Sequence, residues 1–219
     1  MIPILTAQEA VRDVQDGATL MIGGFLVAGF ANRLCQALLD KGVQDLTVIC
    51  NDPGTGALPS NELVRLGRVK KLITSYIGRS PHTYEMMNAG TLDVELSPQG
   101  TLAERIRMGG AGLGGFLTPT GVGTVAQEGK RIIEVEGVPY LLELPLVADF
   151  AFIRARRADS HGNLRFHGTA RNMNPMMATA ANRVICEVDE VVQGAFAPDE
   201  VEVSGLFIDA LVRTGGDAA

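Results

Sequence analysis

The segment 98–124 constrains the fold more than any other part of the sequence, because eight of its residues are glycines. Glycine loses more backbone freedom on folding than any other residue, so a dense run of glycines is costly to order. A flexible linker would carry serine and charge, whereas this segment carries Leu113, Phe116 and Leu117. We therefore expect an ordered, partly buried loop whose backbone comes close to another group. The pattern leaves open whether that group is a ligand or another stretch of backbone.

Short apolar strands alternate with helical segments on both sides of this loop. Before it, strands are predicted over 18–22, 46–50, 69–74 and 92–96, and helices after Thr6, from Asn32 to Gly42, over 62–66 and from Ser80 to Gly90; a further helix is predicted inside the segment, over 101–108. After it, strands are predicted over 148–155 and 184–192, with a helix near 174–181 between them. Alternation of this kind is typical of a parallel sheet with helices on both faces.

Residues 131–143 interrupt that alternation. Their polar and apolar side chains alternate around Glu136-Gly137, a pattern that predicts an inserted β-hairpin. The predicted fold class is therefore α/β, with an open, mostly parallel sheet, helices on both faces and a β-hairpin. We expect residues 1–219 to form a single domain.

The composition excludes several classes of protein. A net charge of −6, a pI near 5.1 and the lack of tryptophan argue against a nucleic-acid-binding protein. No apolar run approaches the roughly 18 residues that span a bilayer, so no membrane association is expected. The three cysteines are far apart and the three histidines lack ligand spacing, so we expect no metal site and a reduced, cytoplasmic location.

A second glycine turn, over residues 16–29, lies between the first predicted strand and the next helix. In a parallel sheet such a turn is at the carboxyl end of a strand, where ligands bind, and helix-start amides can point at an anion. Its spacing does not match GxGxxG, and a tight structural turn explains the pattern equally well. The two glycine segments together favour a ligand site.

Asn51 and Gln99 each follow a predicted strand, so both are expected at the same edge of the sheet. Their amides can donate hydrogen bonds to a carboxylate or thioester oxygen without carrying charge. From the pattern alone, a turn-forming role beside Pro53 is the better explanation of Asn51, and a helix-start role explains Gln99 equally well. A basic cluster downstream could hold phosphate, although a solvated strand end explains it better: Arg154, Arg156 and Arg157.

The run through Gly23, Gly24, Phe25 and Gly29 resembles the glycine motif of the A (alpha) subunit of family I 3-oxoacid CoA-transferases. The similarity extends to Asn51-Asp52, Pro98-Gln99-Gly100-Thr101, 109–112, 118–124 and Arg171-Asn172-Met173-Asn174-Pro175. It covers almost the whole chain and is greatest with the acetate/acetoacetate type. One departure is Ala31, which stands where the family usually has proline.

The resemblance implies an enzyme that moves CoA between short-chain carboxylic or 3-oxo acids through a glutamyl-CoA thioester. The family's nucleophile is in a Glu-Asn-Gly motif on the B (beta) subunit. That tripeptide is absent from this chain, which implies activity only with the partner, as an A2B2 assembly. The resemblance also implies that Asn51 and Gln99 lie near the acyl group. The residues expected to contact CoA are Gly24, Phe25, Leu26, Val27, Ala28, Gly29 and Phe30.

Two other functions remain open on the sequence alone. A sugar-phosphate isomerase of similar fold would need a carboxylate or lysine base at the loops, and Asp52 is the candidate. A non-catalytic module that binds acyl-CoA would use the same loops without turnover.

Overall fold

The structure of the protein is a computed structural model that describes residues 1–215; the last four residues of the predicted single domain lie outside the described part. Its strands are β1 (Thr19–Ile22), β2 (Leu46–Cys50), β3 (Val69–Thr74), β4 (Asp93–Leu96), β5 (Phe116–Thr118), β6 (Ile132–Val135), β7 (Val138–Glu143), β8 (Ala148–Ala158), β9 (Leu164–Arg165), β10 (Ala181–Val191) and β11 (Ala210–Arg213). Its α-helices are α1 (Ala7–Ala10), α2 (Asn32–Lys41), α3 (Pro59–Arg65), α4 (Pro81–Asn88), α5 (Gln99–Gly110) and α6 (Asn174–Met177).

An eight-stranded sheet in the order β11-β10-β8-β1-β2-β3-β4 forms the centre of the fold, and β9 pairs with β8. All pairs along this order are parallel, and only the short β9 is antiparallel to its neighbour. The chain proceeds from β1 to β4 in one direction and then returns to place β8 on the other side of β1. The carboxyl end of β1 therefore lies at a topological switch point, where ligands bind in sheets of this kind.

Helices cover both faces of the sheet, as the sequence predicts. Because successive side chains of a strand point to opposite faces, Leu20 and Ile22 enter one core while Met21 enters the other. The first core contains apolar residues of α1 to α3, and the second contains those of α5 and α6. The predicted α/β class is confirmed.

The predicted hairpin is also present, as β6 and β7. Glu136 and Gly137 both have positive φ, at 51° and 77°, as a tight two-residue hairpin turn requires. The hairpin is part of a three-stranded antiparallel sheet, because β5 pairs with the other side of β7. Glu143, which is buried at the end of β7, forms an ion pair with Lys130 at 2.6 Å and lies 3.7 Å from the Arg105 guanidinium of α5.

Two helix predictions are too long. The first helix is predicted to run for about ten residues after Thr6, yet α1 ends at Ala10 despite an intact capping box between Thr6 and Glu9. The Lys41 ammonium donates to the Val11 and Arg12 carbonyls, at 3.1 and 2.5 Å, and so binds acceptors that a longer helix would use internally. The helix predicted near 174–181 is the single turn α6, and β10 begins at Ala181.

The glycine-rich segment 98–124 is more regular than the predicted loop. Helix α5 continues through Gly109 and Gly110, and β5 joins the small sheet. A Cβ atom at Gly109 would lie 1.9 Å from the Leu146 carbonyl oxygen, and one at Gly115 would lie 2.4 Å from that of Glu143. At these positions the group that approaches the backbone is the chain's own backbone, not a ligand.

Glu187, on β10, joins helix α2 to the sheet although it is only 1% exposed. One carboxylate oxygen accepts a hydrogen bond from the Arg33 amide at 2.8 Å, at the start of α2, and the other accepts from Arg154 Nη1 at 3.0 Å. Burial raises the pKa of Glu187, while these donors favour the charged form and oppose the shift. The start of α2 therefore depends on a buried carboxylate.

We predict that Glu187→Ala lowers the free energy of unfolding by about 3–5 kcal/mol, because it leaves Arg154 and the α2 amides without their buried partner. Urea denaturation followed by circular dichroism measures this change. The control is Glu190→Ala on the same strand, whose side chain is 56% exposed and pairs with Arg157. It should cost less than about 1 kcal/mol. Equal losses in the two variants would contradict the role given to Glu187.

Candidate active site

The candidate site lies where the carboxyl ends of β1 to β4 meet. Residues 23–31 follow β1 and are called the glycine loop below. Asn51 follows β2, Ser75 follows β3, and Gln99 begins α5 after β4. Because parallel strands end at one edge of a sheet, these groups converge beside the switch point at β1.

The two predicted amide residues are in direct contact. Gln99 Nε2 donates to Asn51 Oδ1 at 2.6 Å, and Ser75 Oγ donates to the same oxygen at 3.0 Å. Asn51 is 2% exposed and its own Nδ2 donates to Asp52 at 2.7 Å, whereas Gln99 is exposed. Asn51 therefore fixes the position of Gln99, and the second N–H of Gln99 stays available to a ligand. That either residue lies near an acyl group stays a prediction.

Asp52, which is 1% exposed, binds the chain's own groups with both carboxylate oxygens. One oxygen accepts from the Leu26 amide at 3.0 Å as well as from Asn51, and the other accepts from the Gly54 amide at 2.9 Å. Leu26 has a φ of 55°, which is unusual for a residue with a side chain. Asp52 thus holds a strained position of the glycine loop in place, a role that sequence reasoning did not identify.

Two asparagines hold the opposite side of the glycine loop. Asn172 accepts from the Gly24 amide at 3.2 Å and donates to the Ala28 carbonyl at 3.2 Å, while Asn174 Nδ2 donates to the Gly29 carbonyl at 3.1 Å. Between these contacts Phe25 and Ala28 exchange two backbone hydrogen bonds of 2.9 Å, so the loop is a miniature hairpin. The two asparagines belong to a segment that resembles the family, but nothing in their local sequence pattern predicts that they contact the glycine loop.

The glycines of the loop are explained by packing within the chain. A Cβ atom at Gly23 would lie 1.8 Å from Asn174 Oδ1, and one at Gly29 would lie 2.5 Å from the Ala170 carbonyl oxygen. At Gly24, which has a φ of 141°, a Cβ would lie 2.6 Å from the ring of Phe30. Gly24 and Phe30 are buried, so the surface that this loop offers to a ligand comes from residues 25–29. Their expected contact with CoA stays a prediction.

A cleft of about 420 Å³ opens on one side of the glycine loop, and we call it the amide cleft. Its lining residues are Phe25, Leu26, Asn51, Ser75, Tyr76, Arg79 and Gln99. It therefore combines apolar side chains from the loop with the amide pair and one arginine. Small-molecule sites have this size and mixture of groups.

A second cavity, of about 310 Å³, lies on the other side of the loop and is lined in part by Val27, Arg154 and Arg156. The arginines of the predicted basic cluster are paired with acids from β10: Arg154 with Glu187 and Asp189, and Arg157 with Glu190. The cluster's positive charge is thus largely compensated within the chain, and a phosphate-binding role receives no support from this arrangement.

The remaining candidate groups form no further site within the described residues. Cys35, Cys50 and Cys186 are free and buried, and burial raises the pKa of each thiol, so all three behave as small apolar residues. Within residues 1–215, no group of three or more His, Cys, Asp or Glu side chains is placed to hold a metal ion. None of the helices in this described part has the length and apolar character needed to span a membrane.

Comparison with known proteins gives a consistent match. The family model described as "Coenzyme A transferase" matches residues 4–214. The alpha subunit of acetate CoA-transferase from Escherichia coli K12 is 49% identical over 210 residues, which cover 95% of this chain and 96% of that protein. The A subunit of succinyl-CoA:3-ketoacid coenzyme A transferase from Xanthomonas campestris strain B100 is 46% identical over 200 residues, covering 91% of this chain and 83% of that protein.

A similar fold is found in the acyl-CoA transferase of Escherichia coli O157:H7, solved as a thioester complex with CoA. The TM-score is 0.89 and the sequence identity 25%, over 99% of this chain and 48% of the solved chain. This chain therefore spans about half the length of that solved protein.

We predict that Asp52→Ala loosens the tip of the glycine loop, because the Leu26 amide and the Asn51 side chain lose their shared acceptor. Hydrogen exchange of amides 25–28 should become about ten- to a hundredfold faster, as expected for the loss of hydrogen bonds to a charged group. Asp93→Ala, on the exposed edge strand β4, is the control and should leave this exchange unchanged. Unaltered exchange in Asp52→Ala would show that the carboxylate does not hold the loop.

Proposed function

This chain belongs to the coenzyme A transferase family, and we propose that it is the A (alpha) subunit of an enzyme that transfers CoA between short-chain carboxylic or 3-oxo acids. The observation that carries the proposal is the amide cleft beside the glycine loop, in a chain that the family model matches over residues 4–214. The two relatives are named as the alpha or A subunits of CoA-transferases, which supports the assignment.

The proposed reaction exchanges one thioester for another without ATP. A glutamate carboxylate from the partner attacks the acyl-CoA carbonyl, which gives an acyl-glutamyl anhydride and releases CoA thiolate. The thiolate then attacks the glutamyl carbonyl, which gives a glutamyl-CoA thioester and the free acid. An incoming acid reverses both steps and leaves as its CoA thioester, while the glutamate is regenerated as a carboxylate.

In this proposal the chain binds and orients the reacting groups. Each attack places negative charge on a carbonyl oxygen, and a fixed N–H donor stabilises that charge. The free N–H of Gln99 is suited to this task, because the same nitrogen also donates to Asn51 Oδ1, which Ser75 holds in place. Residues 25–29 of the glycine loop border the cleft and supply the proposed contacts with CoA.

We further propose that a B (beta) subunit carries the nucleophilic glutamate, and that the assembly is A2B2 and cytoplasmic. Glu-Asn-Gly, the expected setting of the nucleophile, is absent from this chain. The match to only 48% of the solved acyl-CoA transferase chain supports a second polypeptide that supplies the remaining part of the enzyme. A partner lying over the amide cleft would also keep water from the anhydride.

The structure favours neither alternative function. The isomerase hypothesis needs Asp52 as a base, but both of its carboxylate oxygens accept hydrogen bonds from the Leu26 and Gly54 amides and from Asn51. No feature of the described residues favours a non-catalytic acyl-CoA-binding module over a component of an enzyme.

We predict that the chain expressed alone does not transfer CoA, because it lacks the attacking carboxylate, and that co-expression with its B subunit restores activity. The measurement follows acetoacetyl-CoA formed from acetyl-CoA and acetoacetate. Replacement of the partner's Glu-Asn-Gly glutamate by alanine is the control and should remove the activity of the complex. Full turnover by the isolated chain would contradict the proposed division of roles between the two polypeptides.

We predict that Gln99→Ala in the complex lowers kcat by about 10- to 1,000-fold, the range expected when one oxyanion donor is removed. The matched control is Gln36→Ala on α2, where the glutamine bonds only to Asp40 on the surface. It should retain full activity. An unchanged rate in Gln99→Ala would remove this residue from the site.

A further inference from the structure

Arg79 lines the amide cleft and is not used by any interaction within the described chain. It lies just before Ser80, the N-cap of α4, and is exposed. Within residues 1–215 its guanidinium forms no ion pair and no hydrogen bond. Arg105 and Arg154, by contrast, are paired with acids. The five N–H donors of Arg79 are therefore free for a ligand.

Arg79 is also the only charged residue among those that line the amide cleft in the described part of the chain. The others are apolar or carry neutral amide and hydroxyl groups. Asp52 lies beneath the cleft, but it is 1% exposed and both of its oxygens are bonded to the glycine loop and its neighbours. The cleft therefore has a local positive charge that favours an anionic ligand, in a chain whose net charge is −6.

The position of Arg79 restricts which anion it can bind. Under the proposed function, on which this inference rests, the reacting carbonyl lies beside Gln99 in the same cleft. The phosphates of CoA are at the far end of the pantetheine arm, so they cannot occupy this cleft while the thioester is at Gln99. The reacting carboxylates, of the incoming acid and of the partner's glutamate, lie at Gln99 in this proposal, so a further anionic group bound by Arg79 belongs to the rest of the acyl group.

We propose that Arg79 binds a second carboxylate, at the end of the acyl group remote from the thioester, and so selects dicarboxylic acids and their CoA monothioesters. Guanidinium and carboxylate fit each other through two parallel hydrogen bonds, which fixes the orientation of the acyl chain as well as its charge. A cleft of about 420 Å³ has room for a four-carbon diacid between the amide pair and this arginine. A monocarboxylic acyl group of the same length leaves the guanidinium without a partner.

The test compares succinate with butyrate, two four-carbon acids that differ in the terminal carboxylate, as acceptors of CoA from acetyl-CoA. The enzyme is the complex of this chain with its B subunit. We expect the wild type to favour succinate in kcat/KM, and Arg79→Gln to lower the succinate-to-butyrate ratio by about 10- to 100-fold, mainly through KM for succinate. Arg79→Lys, which keeps the charge but not the paired N–H donors of the guanidinium, should retain part of the preference for succinate.

The matched control is Arg12→Gln, which changes an arginine that is 73% exposed and remote from the cleft. It should leave the ratio unchanged. An unaltered ratio in Arg79→Gln would overturn the inference, and an equal loss for both acids would also overturn it, because it would place Arg79 on CoA or on the fold. Transfer of CoA to butyrate by the Arg79→Gln complex supports the proposed function whether or not the succinate-to-butyrate ratio changes. If no complex transfers CoA to any acid, the proposed function itself fails.

Discussion

The backbone of the glycine loop leaves the core after Gly24 and re-enters it at Phe30, and over this short turn its amides and carbonyls need hydrogen-bond partners outside the loop. Asp52 meets this need on one side, through the Leu26 amide, and Asn172 and Asn174 meet it on the other. Gly24 and Asn172 are 148 residues apart in the chain, so the loop has this shape only when the tertiary structure brings these residues together. The side chains that hold the loop also join it to the ends of the neighbouring strands.

One consequence is that the polar groups of the amide cleft are already in position without a ligand. Gln99, Asn51 and Ser75 form a continuous set of hydrogen bonds, which Asp52 extends to the glycine loop. Donors fixed in this way stabilise developing charge without reorganising during the reaction. Neutral amides are also appropriate chemically for the proposed transfer, because its substrate and product acids are both carboxylates. A cation beside the reacting carbon would stabilise these ground states as well as the transition state.

The fold follows closely from local patterns in the sequence. Strand β3 occupies the predicted residues 69–74, α2 begins at Asn32 and ends before Gly42, and the hairpin turns at Glu136-Gly137. Patterns of this kind are set by side-chain periodicity and by capping within a few residues, so a single sequence contains them. The length of α1 was not predictable, because Lys41 from another helix binds two carbonyls that a longer α1 would use internally. The groups packed against Gly109 and Gly115 were not predictable either, since they are backbone carbonyls from another segment of the chain.

The sequence by itself determined an α/β sheet with a glycine turn after β1 and amide residues after β2 and β4, because each of these depends on neighbouring residues. Only the tertiary structure decided that Gln99 bonds to Asn51, that Asp52 and Asn174 hold the loop, and that Arg79 shares their cleft. The physical reason is that hydrogen bonds and charge depend on distances of a few ångströms between groups far apart in the chain. Those distances exist only once the strands have been brought together in one sheet.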